Sequence, residues 1–187
     1  MPGKRPSLKK SINKRWLKIV LFCLSSLTLI SWDRVTKDLA KEHLKDKPAY
    51  SYLHDSFRLQ YVENTGAAMS LADDLPKKTS FWLLGIIPLG FLIFLLVYTI
   101  KKSRTLSPGK LFAFSLIFAG GIGNILDRLL YDRHVTDFMN VGILNFRTGI
   151  FNFADVWITS GIIYLFFFHR QADKNQKPPS AFYSEAE

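Results

Sequence analysis

The sequence has little of what most metal and nucleophile sites are built from. Its 187 residues include one cysteine and four histidines. The lone Cys23 excludes a disulfide within the chain and a cysteine-based metal site, and we expect it to be a small core residue. None of His43, His54 and His134 stands in an arrangement that suggests a nucleophile–base pair or a metal-ligand cluster. The sequence therefore predicts no metal and no cofactor.

Acidic residues are also few, and the basic residues that outnumber them are concentrated in three segments. The chain has 25 Lys and Arg against 15 Asp and Glu, a net charge of +10. Such a charge often indicates a nucleic-acid partner. Here seven cations precede residue 19, four lie at 101–110 and three at 170–177. The positive-inside rule places these segments in the cytoplasm, so the charge reflects topology and we predict no nucleic-acid partner.

Four long segments are nearly free of charge, which predicts an all-α membrane protein. A membrane helix needs about 20 apolar residues. The predicted transmembrane helices are residues 16–32, 81–100, 111–126 and 151–168. An even number of spans puts both tails on the cytoplasmic side. We expect a basic tail at 1–15, a membrane domain at 16–170 and a polar tail at 171–187.

Two external segments are expected at about 33–80 and 127–153, and residues 129–150 of the second are predicted as a loop. Residues 57–62 alternate with a period of two and are rich in aromatic and β-branched types, which predicts a strand. With residues 69–72 it predicts a small extracytoplasmic sheet. Lys47-Pro48 should end the helix that continues from the first span. The charged stretches Asp73-Asp74 and Lys77-Lys78 indicate a solvated loop.

Several polar residues near the spans have two interpretations each. Asp33 and Lys37, four apart on a helix, form either an interfacial salt bridge or a polar lid next to a site. Asn64, two residues before Gly66, either shapes a turn or directs its carboxamide at a substrate backbone. Asp127 ends a helix where the dipole disfavours an anion, so we expect an Asp–Arg fixture with Arg128 that holds loops together.

The glycine-rich residues 120–123 allow close packing of helices. A phosphate loop is a poor alternative, because no strand precedes the glycines and no Gly-Lys-Ser/Thr sequence follows them. Polar residues at the membrane boundary are costly unless they are paired or used. The ones that should converge on one side of the membrane are Asn124, Asp127, Arg128, Asp137, Asn152 and Asp155.

Asp137 and Asp155 carry the chemical hypothesis. Two carboxylates in a partly dry site cannot both ionise cheaply, so one keeps a proton while the other acts as a base. Such a pair can activate water against an amide, as in aspartic proteases. A structural alternative exists for Asp155: with Asn152 as N-cap, it completes a capping box.

The ordered blocks resemble the bacterial lipoprotein signal peptidase family, also called type II signal peptidase. The blocks are residues 33–37 (DRVTK), 63–70 (ENTGAAMS), 120–128 (GGIGNILDR), 135–138 (VTDF) and 151–155 (FNFAD). The resemblance covers about residues 16–170. It departs from the family at Arg34, where glutamine is more usual, and at Met69, where phenylalanine is more usual.

The resemblance implies a four-helix inner-membrane aspartyl peptidase with an extracytoplasmic β-cradle and a short lid helix. Its substrate would be a prolipoprotein, cleaved just before a diacylglyceryl-modified cysteine beside membrane phospholipid, and we expect a monomer. The catalytic dyad would be Asp137 and Asp155. The residues that would line or support the site are Asn64, Gly66, Asn124, Asp127, Arg128 and Asn152, with Asp33 and Lys37 from the first span.

A transporter in which Asp127, Asp137 and Asp155 relay protons is the main rival. It predicts ionisable residues near the bilayer midplane and an inverted repeat. The sequence has no repeat, and its carboxylates gather at one face. A non-enzymatic scaffold has no need for two facing carboxylates. The peptidase hypothesis is therefore preferred.

Overall fold

The computed structural model describes residues 8–66, 76–143 and 146–174. In chain order the elements are α1 (Leu8–Leu44), β1 (Tyr50–Tyr52), β2 (Phe57–Asn64), α2 (Lys77–Phe81), a π-helical turn (Trp82–Ile86), α3 (Ile87–Lys102), α4 (Pro108–Leu130), β3 (Val135–Ile143), β4 (Phe146–Arg147) and α5 (Phe153–Lys174). The predictions for residues 69–72 and for Asp73-Asp74 lie outside the described residues. Lys77-Lys78, predicted as loop, instead open α2.

The helices confirm the prediction of a membrane protein. The predicted number of four spans is confirmed only in part. Within the described residues, three helices are long and apolar enough to cross a bilayer: Lys14–Leu44, Lys78–Lys102 and Pro108–Leu130. The last helix contributes a shorter apolar stretch, Phe153–Phe167. Cys23 is exposed on α1 rather than in the core, so that prediction was wrong. It shares an outward surface with large apolar residues such as Leu24 and Leu27.

Helix α4 packs against α1, α3 and α5, and its glycines make this possible. A Cβ atom on Gly120 would stand 2.2 Å from the carbonyl oxygen of Ala154 in α5. On Gly123 it would stand 2.6 Å from an oxygen of Asp33 in α1. Such contacts are too short for any side chain, so the predicted close packing at residues 120–123 is confirmed.

The four described strands form one antiparallel sheet in the order β1-β2-β3-β4. The strand predicted at 57–62 is confirmed as β2, which pairs Leu59 with Met139 and Val62 with Asp137 of β3. Residues 129–150 were predicted as a loop, and β3 and β4 correct that prediction. The first six residues of β3 are all buried, so this strand lacks the alternation that would have revealed it.

A small core joins the sheet to the helices. Ala40 and Leu44 of α1 pack with Phe138 and Met139 of β3, and Phe153 of α5 adds to the cluster. Helix α1 supplies its part because it continues beyond the apolar span and ends at Leu44, before Lys47-Pro48, as predicted. This core fixes β3 beside the ends of the membrane helices.

Candidate functional site

Two groups of carboxylates lie where the helix ends meet the sheet. In the first, Lys37 Nζ stands 2.7 Å from Asp33 Oδ2 and 2.9 Å from Asp127 Oδ2. All three side chains are almost fully buried. The salt-bridge interpretation of Asp33 and Lys37 is confirmed, and they lie inside the protein rather than forming a lid. Asp33 also accepts a hydrogen bond of 2.8 Å from the backbone N–H of Ala154, which ties α1 to α5.

Asp127 and Arg128 have partners that their adjacency did not predict. Asp127 pairs with Lys37 and with Arg34, whose Nη1 is 2.7 Å from Asp127 Oδ1. Among the described residues, Arg128 forms no salt bridge with Asp127. It donates instead to the carbonyl oxygens of Asn124 at 3.2 Å and of Gly66 at 3.0 Å. The expected Asp–Arg fixture is therefore two separate contacts that hold different segments.

Asp137 lies in β3 with only 3 % of its surface exposed. Its Oδ1 accepts a hydrogen bond from Asn152 Nδ2 at 2.6 Å, and its Oδ2 accepts one from Asn64 Nδ2 at 2.9 Å. Burial raises the pKa of Asp137 to about 7, with a further increase from the charge of Asp155, while the two amide donors lower it. The carboxyl of Asp137 therefore gains or loses its proton near pH 7.

The turn-shaping interpretation of Asn64 is confirmed, and a contact of its carboxamide with a substrate backbone stays a prediction. Its Oδ1 accepts a hydrogen bond of 2.9 Å from the N–H of Gly66, which shapes the turn. Its Nδ2 donates to Asp137. Because Arg128 holds the carbonyl of Gly66, the turn, the asparagine and the carboxyl are fixed as one unit.

Asp155 lies in the first turn of α5 and completes the predicted capping box. Its Oδ2 accepts from the backbone N–H of Asn152 at 3.1 Å, and Asn152 Oδ1 accepts from the N–H of Asp155 at 3.1 Å. The other oxygen, Oδ1, accepts from Asn124 Nδ2 at 2.8 Å. Since Asn152 also donates to Asp137, this one residue contacts both carboxylates. Asp155 therefore caps α5 and also belongs to the second group of carboxylates.

Asn124 connects the two groups. Its Oδ1 accepts from Lys37 Nζ at 3.2 Å and from Asn152 Nδ2 at 3.2 Å. With its oxygen engaged by two donors, the amide must present its Nδ2 to Asp155. The orientation of this donor is thus set by the buried salt bridge next to it.

Asp137 and Asp155 line one cavity of about 650 Å³. The other predicted site residues on its wall are Asn64, Asn124 and Arg128. Asp33, Lys37, Asp127, Asn152 and Gly66 support these from behind through the contacts above. In the described ranges, no group of three or more His, Cys, Asp and Glu residues could hold a metal ion.

The sequence missed part of this wall. Residues 148–151 line the cavity, and so do Thr159 and Ser160 of α5. The polar pair in an apolar helix was a usable signal, whereas residues 148–150 carry no distinctive side chain. Arg34 was noted only as a departure from the family, and its ion pair with Asp127 was not foreseen.

Comparisons with known proteins identify the family of this chain. Residues 25–170 match the model of the family described as Signal peptidase (SPase) II. The lipoprotein signal peptidase of Borreliella burgdorferi (strain ZS7) is 33% identical over 170 residues, covering 85% of this chain and 95% of the relative. That of Treponema pallidum (strain Nichols) is 37% identical over 133 residues, covering 68% and 71%.

Solved structures give the same result for the fold. Two structures, each described as a bacterial membrane enzyme solved by the in meso method, superpose with TM-scores of 0.70 and 0.66. They are 26% and 28% identical to this chain, of which they cover 100% and 90%. The matched residues include all five blocks that carried the resemblance. The chain belongs to the signal peptidase II family.

Proposed function

We propose that this bacterial membrane peptidase is an aspartic endopeptidase that uses Asp137 and Asp155 to activate water. Its substrate is a diacylglyceryl-modified prolipoprotein, cut immediately before the lipidated cysteine. Membership in the family makes the chain a peptidase of lipoprotein signal peptides. The observation that carries the assignment of the dyad is that both carboxylates line one cavity and that asparagines, rather than cations, hold their side chains.

The raised pKa makes Asp137 the member of the dyad that holds a proton. Asp155 takes a proton from water as the water oxygen attacks the carbonyl carbon of the scissile bond, and Asp137 protonates the carbonyl oxygen. The gem-diol intermediate then collapses. Asp155 passes its proton to the leaving nitrogen, the C–N bond breaks, and Asp137 regains its proton from the gem-diol hydroxyl.

The asparagines orient the two carboxyl groups. Asn64 and Asn152 fix the two oxygens of Asp137, and Asn124 fixes one oxygen of Asp155. Neutral donors restrict rotation of the carboxyl groups without adding a full compensating charge, so each carboxyl can exchange a proton with water or substrate during the reaction. Arg128 lines the same cavity and supplies positive potential toward the negative charge of the dyad.

The membrane arrangement is part of the proposal. Four spans place both termini in the cytoplasm and the dyad at the extracytoplasmic face of a monomer, with the apolar part of α5 as the shortest span. Trp32 is 55% exposed and packs edge-on against Phe153, as expected for aromatic residues at a membrane interface. A cysteine anchored by acyl chains in phospholipid would hold the scissile bond at this height.

Cleavage by the purified protein tests the proposal. The wild type should cut a lipidated precursor, while Asp137→Asn and Asp155→Asn should not. A folded variant of either aspartate with wild-type turnover contradicts the assignment of the dyad. Equal cleavage of a precursor without lipid contradicts the requirement for the diacylglyceryl group.

A further inference from the structure

The cavity wall contains a short segment, residues 148–151, that is paired with β3 at both ends but has no backbone partner at its centre among the described residues. Thr148 is held by a hydrogen bond of 2.8 Å from its N–H to the carbonyl of Val141, and Phe151 by one of 2.8 Å from its N–H to Met139. Between them, the backbones of Gly149 and Ile150 make no hydrogen bond with any described residue. Both residues line the cavity beside Asp137 and Asp155. Backbone N–H and C=O groups next to a substrate site are available donors and acceptors.

We propose that Gly149 and Ile150 bind the main chain of the substrate, which lies against them as an added strand next to the scissile bond. This inference rests on the proposed function and specifies the conformation of the substrate. An extended peptide has free N–H and C=O groups at each residue, and addition of a strand to an exposed edge satisfies both partners. A helical substrate satisfies its own backbone groups internally and offers none to this wall.

The geometry of the sheet favours an extended ligand at this place. The segment continues from β4, which pairs with β3 through Gly142 and Arg147. The bridge between Met139 and Phe151 returns it to β3 beyond the unpaired residues. The two ends are therefore fixed in strand-like pairing to the same strand that carries Asp137, so an added peptide is aligned with the dyad.

Arg147 is the positioning residue of this segment. Its Nη1 donates to the carbonyl oxygen of Asp55 at 2.7 Å, and its Nε donates to Asn140 Oδ1 at 2.5 Å. Asn140 is buried, and its Nδ2 donates to the carbonyl oxygen of Thr148 at 2.6 Å. Arg147 acts through Asn140, because the contact with Arg147 orients the amide that holds Thr148.

Arg58 offers a matched control. It binds the side chain of the same Asp55, with Nε 2.6 Å from Oδ1. Among the described residues it makes no side-chain hydrogen bond to Asn140 or Thr148. Loss of Arg58 therefore weakens the same loop but leaves the segment attached through Arg147.

The test uses the full-length protein in lipid and a lipidated precursor peptide. The amide nitrogens of this peptide within three residues of the scissile bond, on either side, are methylated one at a time, never at the scissile bond itself. Methylation removes one donor, so at least one position should raise KM about three- to tenfold in the wild type, with kcat within about twofold. Arg147→Met should raise KM for the parent peptide and reduce the methylation penalty to less than about twofold. Arg58→Met should keep the full penalty.

Asn140→Asp provides a second variant if Arg147→Met does not fold. It keeps an oxygen for Arg147 but removes the donor to Thr148, so the same loss of the methylation penalty is expected. An unchanged KM for every methylated peptide overturns the proposal, and so does a penalty in Asn140→Asp equal to that of the wild type. Cleavage of the parent peptide by the wild type and not by Asp137→Asn shows separately that the proposed function holds.

Discussion

The molecule contains two pairs of aspartates that Asn124 connects, and the pairs differ in their partners. Asp33 and Asp127 share the ammonium group of Lys37, and Asp127 has a second cation in Arg34. The side chains of Asp137 and Asp155 are held by the amides of asparagines, and neither forms a salt bridge within the described part of the chain.

The difference in partners suits the first pair to a structural role and the second pair to the proposed chemical role. A carboxylate between cations is compensated and fixed, so it can join helices. Asp137 accepts hydrogen bonds from neutral donors and forms no ion pair with any described residue, so burial dominates and raises its pKa to about 7, against the smaller lowering effects of the two asparagines and of the charge of Lys37. In the proposed function, one residue type thus serves two purposes, and the partner decides which. Four substitutions test this contrast.

The largest effect is expected from the pair held by amides. Asp137→Asn should lower kcat/KM for a lipidated precursor by more than about 1000-fold, because the dyad loses its acid. The melting temperature should stay within a few degrees of the wild type. The substitution removes a costly buried charge, but it leaves one of two amide donors without an acceptor, and these effects offset each other. A melting temperature far below the wild type would instead make Asp137 a structural residue.

The opposite result is expected in the pair held by cations. Asp127→Asn leaves Lys37 and Arg34 with less compensation in the interior, which should lower the free energy of unfolding by about 3–5 kcal/mol. Unfolding by denaturant in detergent micelles measures this loss. Asp38→Asn is the control: Asp38 pairs with the same Arg34 at 3.1 Å but is exposed, so its removal should cost less than about 1 kcal/mol. Equal stability of both variants contradicts the contrast.

A smaller effect is expected on the pH dependence. The proposed mechanism needs protonated Asp137, so the high-pH limb of kcat/KM should fall as the pH rises through its pKa of about 7. The hydrogen bond from Asn64 lowers this pKa. Asn64→Ala should therefore move the falling limb to higher pH, by roughly one unit. Ser51→Ala, on the remote strand β1, should leave the limb in place, and a limb that moves downward in Asn64→Ala would contradict the assignment.

The contacts that the sequence predicted correctly join residues that are close together in the chain. The i,i+4 spacing of Asp33 and Lys37 predicted their salt bridge, and the spacing of Asn152 and Asp155 predicted the capping box. The pairing of Asp127 with Arg34 joins residues 93 positions apart, and no local pattern encodes it. The wall at 148–150 was missed for a related reason, since its backbone rather than its side chains makes it notable.

The strand that carries Asp137 was missed for a different reason. Residues 135–140 are buried on both faces between β2, the helix ends and the segment before α5, so polar and apolar side chains do not alternate. Asp137 therefore lies in a strand and not in the predicted loop. In a strand, its distance from Asn64 is fixed by the pairing of β2 with β3.

The smallest effect is expected at the family departure. Arg34→Gln removes one cation from Asp127, which keeps Lys37 at 2.9 Å and the N–H of Thr136 at 3.3 Å. The side chain of Arg34 is about one-quarter exposed, so the free energy of unfolding should fall by about 1 kcal/mol or less. The kcat/KM should stay within about twofold. A tenfold loss would show that the cation-held pair contributes directly to catalysis.

Infrared difference spectroscopy of the carboxyl groups follows the protonation of Asp137 itself. In the wild-type protein, the C=O stretching band of a protonated carboxylic acid should be present at pH 6 and should fade as the pH rises through about 7. The same band should be absent from Asp137→Asn throughout this pH range. A band that persists in Asp137→Asn, or a wild-type protein without one at pH 6, would contradict the account.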